Sequence, residues 1–592
     1  MKQFFKFMFA SLLGTLLTFF VIFLFFAAII AGIVASADSD DVSIKQHTIL
    51  YANWKTPILD RSSDNPFEGF DFQTMDSKKP IGLNDILKSL EKAAGDPNID
   101  GLFLDMETIP AGLATSEEIR NKLLEFKESG KFILSYANGY DQKAYYLATV
   151  ADEIYLNPEG MILFKGLHAQ LMFFKNMLNK LDIEMQVVRG PNNKYKGAVE
   201  PLMLDKMSEA NREQLSVLLN SMWGKILQAI SENRGIRMND LNTIADQLEL
   251  NTADKALELN FVDGLAYRDE ILDILKEKTE TDKDDDLESV SFGKYAKVKV
   301  GKKKKISKNK IAVVYAQGGI VQGKGGPNEI GSSTISRAIR DARRNDKVKA
   351  IVFRVNSGGG DALASEVIRR EVELAKAEKP VIVSMGDYAA SGGYWISTNA
   401  DYIFAQPTTL TGSIGVFGII PNFKSFFNKK LGITFDNIMT NDNANFIDVM
   451  APMSDFQHAK INAVIVEIYN DFTQLVATTR NLDVAYVDSI ARGRVWTGVD
   501  GLELGLVDQM GGLEDAIAFA AEKAELGDDY RLSEYPEQKK FVDQLIEELT
   551  GNMQARIIGN ELGELKTYYD QIQSMQSMKG VQARLPFIMT IN

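Results

Sequence analysis

The chain of 592 residues contains no cysteine, and its three histidines are scattered at His47, His168 and His458. Without cysteine there can be no disulfide scaffold, thiol nucleophile, iron–sulfur cluster or cysteine-ligated zinc. Three separated histidines leave little material for imidazole chemistry, and neither a metal nor a cofactor is expected. Basic residues are also in deficit: 66 Lys and Arg against 80 Asp and Glu give a net charge of −14. That balance excludes a general nucleic-acid binder, which needs a basic surface to neutralise phosphates. The remaining composition, 45% hydrophobic and 25% charged, is that of a folded globular chain, and the length suits several domains.

Long apolar runs are equally scarce. Only Phe7–Val34 qualifies, interrupted by Ser11, Gly14, Thr15, Thr18 and Gly32 and by no charge. About 20 apolar residues cross the hydrocarbon core of a bilayer, so this run is long enough to span it with some tilt. Lys2 and Lys6 precede it, and Asp38, Asp40 and Asp41 follow it. The positive-inside rule then predicts one pass, with a cytoplasmic N-terminus and the body outside. In a bacterium with two membranes this is an inner-membrane protein with a periplasmic body. The competing reading is a cleaved signal peptide ending at Ala35-Ser36-Ala37. Secretory apolar regions run to roughly 7–15 residues, much shorter than this one, which favours a retained anchor.

Past the anchor, strand-like apolar runs alternate with amphipathic segments. The pattern predicts strands at Ile99–Asp105, Phe132–Tyr136 and Glu153–Leu156, with helices at Ser116–Ser129 and Gln142–Val150. The order returns as strands Lys349–Val355, Val381–Ser384 and Tyr402–Phe404 around helices Ala364–Ala377 and Ser391–Thr398. Such alternation implies βαβ units and largely parallel sheets. Ala151-Asp-Glu-Ile-Tyr155 lies over Ala400-Asp-Tyr-Ile-Phe404, and Asn260–Leu265 resembles Leu504–Asp508, so one α/β unit is duplicated. The expected organisation is an anchor over residues 1–45, a first repeat over 46–275, a charged solvated linker over 276–310, a second repeat over 311–530 and a helical tail over 531–592.

Duplicated domains need one working site, so the differences between the copies are informative. The second copy has Val355-Asn-Ser-Gly-Gly-Gly-Asp361 where the first, at Leu104–Gly112, has lost its glycines. Consecutive glycines after a strand let backbone N–H groups face a ligand, although a plain turn is the commoner use. Neither Walker spacing nor a dinucleotide fingerprint accompanies them, which disfavours nucleotides. The second copy also has Asp387-Tyr-Ala-Ala-Ser-Gly-Gly-Tyr394, where Ser391 sits between a strand and a helix. Ser391 is either a nucleophile with the Gly392 amide beside it or a simple helix N-cap. A nucleophile needs a base, no histidine has a suitable setting, and the G-x-S-x-G elbow is absent. A lysine remains, provided that burial or a nearby cation lowers its pKa. Lys196, in Asn193-Lys-Tyr-Lys-Gly-Ala-Val-Glu-Pro201, is one candidate; an ordinary exposed lysine is the alternative.

Taken together, Tyr195–Pro201, Asn356–Gly360, Ala389–Trp395 and Leu410-Thr-Gly-Ser-Ile-Gly415 resemble the signal peptide peptidase A family in its long, duplicated form, also called protease IV. The resemblance runs from the anchor to about residue 525. It implies two tandem Clp protease/crotonase-like α/β domains behind an N-terminal transmembrane helix, assembled as a membrane-anchored homotetramer. It also implies a serine endopeptidase that degrades cleaved signal peptides and other extended apolar peptides through an acyl-enzyme. By the family's motifs Ser391 is the nucleophile and Lys196 the general base. Gly359 and Gly392 supply the oxyanion hole, and Ser413 supports the lysine. One departure is Gly358, where the family usually has proline; it loosens the loop but keeps both following glycines. The implied partners are peptides, a lipid bilayer through residues 7–34 and further copies of the chain. Two rivals remain: a crotonase-like acyl-CoA enzyme, which the anchor disfavours, and a non-enzymatic membrane scaffold of the same fold.

Overall fold

The computed structural model describes residues 2–38, 44–63, 70–71, 76–77, 79–298, 307–326, 328–538 and 580–585. Helix α1, Lys2–Asp38, runs through the whole apolar stretch. Its 37 residues reach about 55 Å at roughly 1.5 Å per residue, more than the ~30 Å hydrocarbon core. Among the described residues it is the one helix long and apolar enough to cross a membrane, and its Gln3–Ile22 window is buried against nothing.

The first repeat contributes β1 (Thr48–Ala52), β2 (Ile99–Asp105), β3 (Phe132–Ala137), β4 (Glu153–Leu156), β5 (Glu184–Arg189), β6 (Gly264–Leu265) and β7 (Ser289–Ser291). Six of these form a sheet in the order β6-β4-β3-β2-β1-β7, with every neighbouring pair parallel. Leu102, Leu104, Ile133 and Ile154 pack on one face under the helices Leu83–Gly95 and Leu113–Glu128. Ile49, Phe103, Leu134 and Tyr136 pack on the other against Ile271 and Leu275. Burial on both faces is why these strands read as continuous apolar runs rather than alternating ones.

The second repeat contributes β8 (Lys310–Gln317), β9 (Gly319–Val321), β10 (Glu329–Gly331), β11 (Val348–Ser357), β12 (Gly359–Asp361), β13 (Val381–Ala390), β14 (Tyr402–Ala405), β15 (Leu410–Gly412), β16 (Phe417–Asn422), β17 (Val495–Thr497), β18 (Gln509–Met510) and β19 (Arg531–Tyr535), with β20 at Gly580–Arg584. The path β18-β14-β13-β11-β8-β19 is parallel and repeats the order of the first sheet strand for strand; β15 and β17 extend it beside β13. The duplication reaches single contacts. Asp263 accepts the Ile154 N–H and pairs with Arg234, and Asp508 accepts the Ile403 N–H and pairs with Arg480. Both arginines end helices of 26 residues, Glu209–Arg234 and Asp455–Arg480.

Two expected boundaries shift. The stretch 276–310, expected to be a solvated linker, supplies β7 to the edge of the first sheet, and Phe292 and Tyr295 just after it are buried. The tail expected to be helical opens with β19, the matching edge of the second sheet. Both strands are short, and β7 buries only Val290, so neither has an apolar run to reveal it. The Lys302–Lys305 block and residues 539–579 of the tail lie outside the described residues.

A third sheet joins the halves in the order β5-β16-β20-β12-β9-β10. Its β5, from the first repeat, runs antiparallel to β16 of the second over six residue pairs. A buried ion cluster adds to this: Arg354 on β11 donates to Asp60 (2.8 Å) and Glu118 (2.6 Å) of the first repeat. Thr115 donates its hydroxyl to Asp387 (2.7 Å) on the strand that leads to Ser391.

Candidate active site

Strand β13 ends at Ala390, and the helix Gly392–Ser397 begins two residues later. Ser391 makes the turn with φ 56° and ψ −115°, on the side of backbone space that side chains rarely adopt. Its backbone is held from both sides: the Ser391 N–H donates to Gly412 O (2.8 Å), and its carbonyl accepts from Trp395 N–H (2.8 Å). Ser391 occupies the N-cap position, yet its side chain makes no capping bond. The hydroxyl lies instead 2.7 Å from Lys196 Nζ and 3.4 Å from Gly415 O. The simple N-cap reading is thereby set aside.

Lys196 reaches this point from the other repeat. After β5 the chain turns through Asn193–Tyr195, where the Tyr195 N–H donates to Arg492 O (2.9 Å) and its carbonyl accepts from Gln214 Nε2 (2.9 Å). A tight turn over Gly197–Val199 follows. A Cβ on Gly197 would come within 2.7 Å of the Asn211 amide, so the glycine lets the long helix Glu209–Arg234 pack close. Glu200 ties the same turn down by accepting from Asn211 Nδ2 and Ser208 N–H. These contacts fix the backbone of the turn that carries Lys196.

The Lys196 side chain is wholly buried. Its Nζ lies 2.7 Å from Ser391 Oγ, 2.8 Å from Ser413 O and 2.9 Å from Ser413 Oγ. Among the described residues no carboxylate pairs with it, and burial pushes the amine well below its usual pKa. The amine donates to three oxygens, Ser391 Oγ and the carbonyl and hydroxyl oxygens of Ser413. Ser413 is also fixed, with φ 49° and its N–H donating to Arg494 O (2.6 Å).

The two glycines lie beside the serine. Gly359 has φ 92°, and a Cβ there would meet Ala583 O at 2.1 Å and Gly392 N at 2.7 Å, so only glycine fits. Gly359 and Gly392 therefore line one spot. The Gly359 N–H donates to Ser357 Oγ (3.1 Å), which in turn donates to Gly318 O (2.7 Å), so a ligand oxygen there competes with a hydroxyl for that amide.

All five candidate residues thus converge, and the structure adds Gly493. With φ 78°, its backbone lies so close to Lys196 that a Cβ would come within 2.5 Å of Lys196 Cβ. Nothing in Arg492-Gly-Arg494 marks it beyond a glycine between arginines. His47 pairs with Asp100 at the surface, far in sequence from every group in the site.

Residues 125–282 and 373–527 each match the Peptidase family S49 domain. The chain belongs to peptidase family S49. Protease 4 of Salmonella typhi is 37% identical over 485 residues, which cover 80% of this chain and 77% of that protein. Protease 4 of Haemophilus influenzae is 37% identical over 461 residues, 74% and 72% of the two chains. The chloroplastic serine protease SPPA of Arabidopsis thaliana is 33% identical over 520 residues, 86% and 75%. This S49 chain is accordingly a serine peptidase of the long form, with the domain present twice.

Proposed function

We propose that the chain is a membrane-anchored endopeptidase working through a Ser391–Lys196 dyad on extended apolar peptides, remnant signal peptides among them. The observation that carries this reading is the 2.7 Å approach of Lys196 Nζ to Ser391 Oγ, with both side chains buried and, among the described residues, no histidine hydrogen-bonded to either. Neutral Lys196 takes the Ser391 proton as Oγ attacks the peptide carbonyl. The Gly359 and Gly392 amides stabilise the developing oxyanion, with Gly359 exchanging its bond to Ser357 for one to the substrate. The protonated Lys196 then passes its proton to the leaving amine. Water resolves the acyl-enzyme with Lys196 as base again, and Ser413 keeps the amine aimed throughout.

The apolar helix α1 supports an anchor in the inner membrane with the peptidase body on the periplasmic side. Apolar side chains such as Leu431, Ile433, Phe435, Ile438 and Met439 are exposed on one loop region of the second repeat, and they suit burial between subunits of a tetramer. The deciding experiment is mass spectrometry after treatment with a serine-reactive peptidyl phosphonate, alongside Ser391→Ala and Lys196→Ala. One adduct on Ser391, lost in both variants, is expected. A folded, unlabelled parent protein would instead support the non-enzymatic scaffold.

A further inference from the structure

One residue touches both supports of Lys196. The Arg494 carbonyl accepts the Ser413 N–H (2.6 Å), and Ser413 in turn accepts from Lys196 Nζ through its carbonyl and its hydroxyl. The Arg494 guanidinium meanwhile crosses to the first repeat, where its Cζ lies 4.7 Å from the centre of the Tyr195 ring. Tyr195 directly precedes the lysine. The same guanidinium lies 4.4 Å from the centre of the Trp496 ring, and its Nη2 donates to Glu213 at 2.8 Å. Arg494 Nε is buried without a hydrogen-bond partner among the described residues, so the ring faces carry much of the hold on this group.

The contact is tied down at both ends. Trp496 Nε1 donates to Ile490 O (2.9 Å), and in the antiparallel pair of β15 and β17 Trp496 lies opposite Thr411 and Val495 opposite Gly412. Gly412 O is the acceptor of the Ser391 N–H. From the first repeat, the wholly buried Gln214 donates to Tyr195 O (2.9 Å) and accepts the Val495 N–H (3.2 Å). Arg494 therefore stands where the turn carrying Lys196 meets the strand pair that holds Ser391 and Ser413. The repeat without a nucleophile lacks this arrangement. Thr252 and Thr497 are equivalent N-caps, each opening a helix of six residues. Counting back from them, Glu249 stands where the second repeat has Arg494, Asn251 where it has Trp496 and Leu248 where it has Gly493. A cation against two rings is thus confined to the repeat that has a nucleophile to serve.

We infer that Arg494 is a positioning residue for the general base: its guanidinium clamps the Tyr195 ring and so holds the Lys196 amine against Ser391 and out of water. This rests on the reading of Lys196 as base. The clamp acts through the turn at Tyr195 and through Ser413, not on the reacting atoms. The charged groups around it are Glu213 on the helix Glu209–Arg234, which pairs with Arg494, and Lys194, whose Nζ lies 5.0 Å from the centre of the same tyrosine ring. Arg492, two residues before Arg494, is paired with Asp488. Releasing the ring lets water reach the amine, which returns part of its solvation, raises its pKa and loosens its aim at Ser391.

The test is steady-state hydrolysis of a fluorogenic apolar peptide across pH by the full chain in detergent micelles, with circular dichroism to establish that each variant is folded. Tyr195→Leu removes the ring and keeps every charge, so it separates the clamp from the charge of Arg494. Tyr195→Leu and Arg494→Ala are each expected to lower kcat by about 10- to 100-fold with KM nearly unchanged, and to move the alkaline limb to higher pH. Their double variant should lose no more than the worse single one, because both remove the same contact. Tyr195→Phe, which keeps the ring face, is expected to recover most of the rate. A limb that stays at the parent's pH in Tyr195→Leu overturns the clamp and leaves the dyad standing. Losses that add in the double variant, or a loss wholly in KM, do the same. A Lys196→Ala protein as active as the parent removes the dyad reading and the clamp together.

Discussion

Arg354 of the second repeat and Glu118 of the first form a fully buried ion pair, with Nη2 donating to Oε1 at 2.6 Å. Glu118 also accepts the Leu513 N–H at 2.8 Å, so a single carboxylate holds a strand and a helix of the other half. Because Lys196 and Ser391 come from different halves, the geometry of the dyad depends on such contacts. Glu118→Ala leaves the buried guanidinium with Asp60 as its one carboxylate among the described residues, and removing one partner of a buried pair costs about 3–5 kcal/mol. The expected result is a loss of that size in denaturant unfolding, together with lower peptidase activity. Unchanged stability would mean that the halves are held by their shared sheet without this pair.

Gly493→Ala tests how closely Lys196 is positioned. The new methyl would meet Lys196 Cβ at 2.5 Å and Cα at 2.8 Å, at a φ of 78° that alanine adopts only with strain. Displacing a reacting group by about 1 Å can cost about 10²-fold in rate. A kcat lower by about that factor is expected, with KM nearly unchanged, since Gly493 lies behind the lysine. A loss expressed wholly in KM would place Gly493 in peptide binding instead.

Ser413→Ala separates the two contacts that Ser413 makes with the amine. The backbone carbonyl at 2.8 Å remains, and only the hydroxyl at 2.9 Å is lost. One hydrogen bond of this kind contributes about 1 kcal/mol, so kcat should fall roughly five- to tenfold. A loss as large as that of Lys196→Ala would show that the hydroxyl, and not the carbonyl, aims the lysine.

Much of this was legible before any coordinates, and for a physical reason. The strands at Ile99–Asp105 and Glu153–Leu156 stand in the structure with the bounds read from the sequence, because burial on both faces demands unbroken apolar runs. Ser391 and the Gly358–Gly360 run are visible because the second repeat keeps small residues where the first has lost them, whereas Gly359 itself is assigned only through the family resemblance. What was illegible arises from contacts distant in sequence. The burial of Lys196 is made by residues 413–415 and 492–494, and no local pattern around Tyr195–Pro201 announces it. Strands β7 and β19 bury too few side chains to leave a pattern, and β20 is recognisable only from the two edges between which it sits.

The buried lysine couples activity to stability through pH. Burial lowers the Lys196 pKa in the folded chain, whereas in the unfolded chain it stands near 10.4. Between those two values the unfolded state holds a proton that the folded state lacks, so stability rises with pH across that window. Below the folded pKa the charged amine is buried, and that stability is lost. Lys196→Met replaces the titrating group with an apolar chain of similar length. It is expected to be more stable than the parent at acidic pH, with the difference shrinking as pH rises towards 10.4. Activity runs the other way: the parent gains rate as Lys196 loses its proton, along a limb well below 10.4, and the variant loses about 10²–10⁴-fold with no such limb. Unfolding midpoints and peptide hydrolysis measured across pH for both proteins check the two together. Stability curves that stay parallel would mean that Lys196 keeps its ordinary pKa and is not the base.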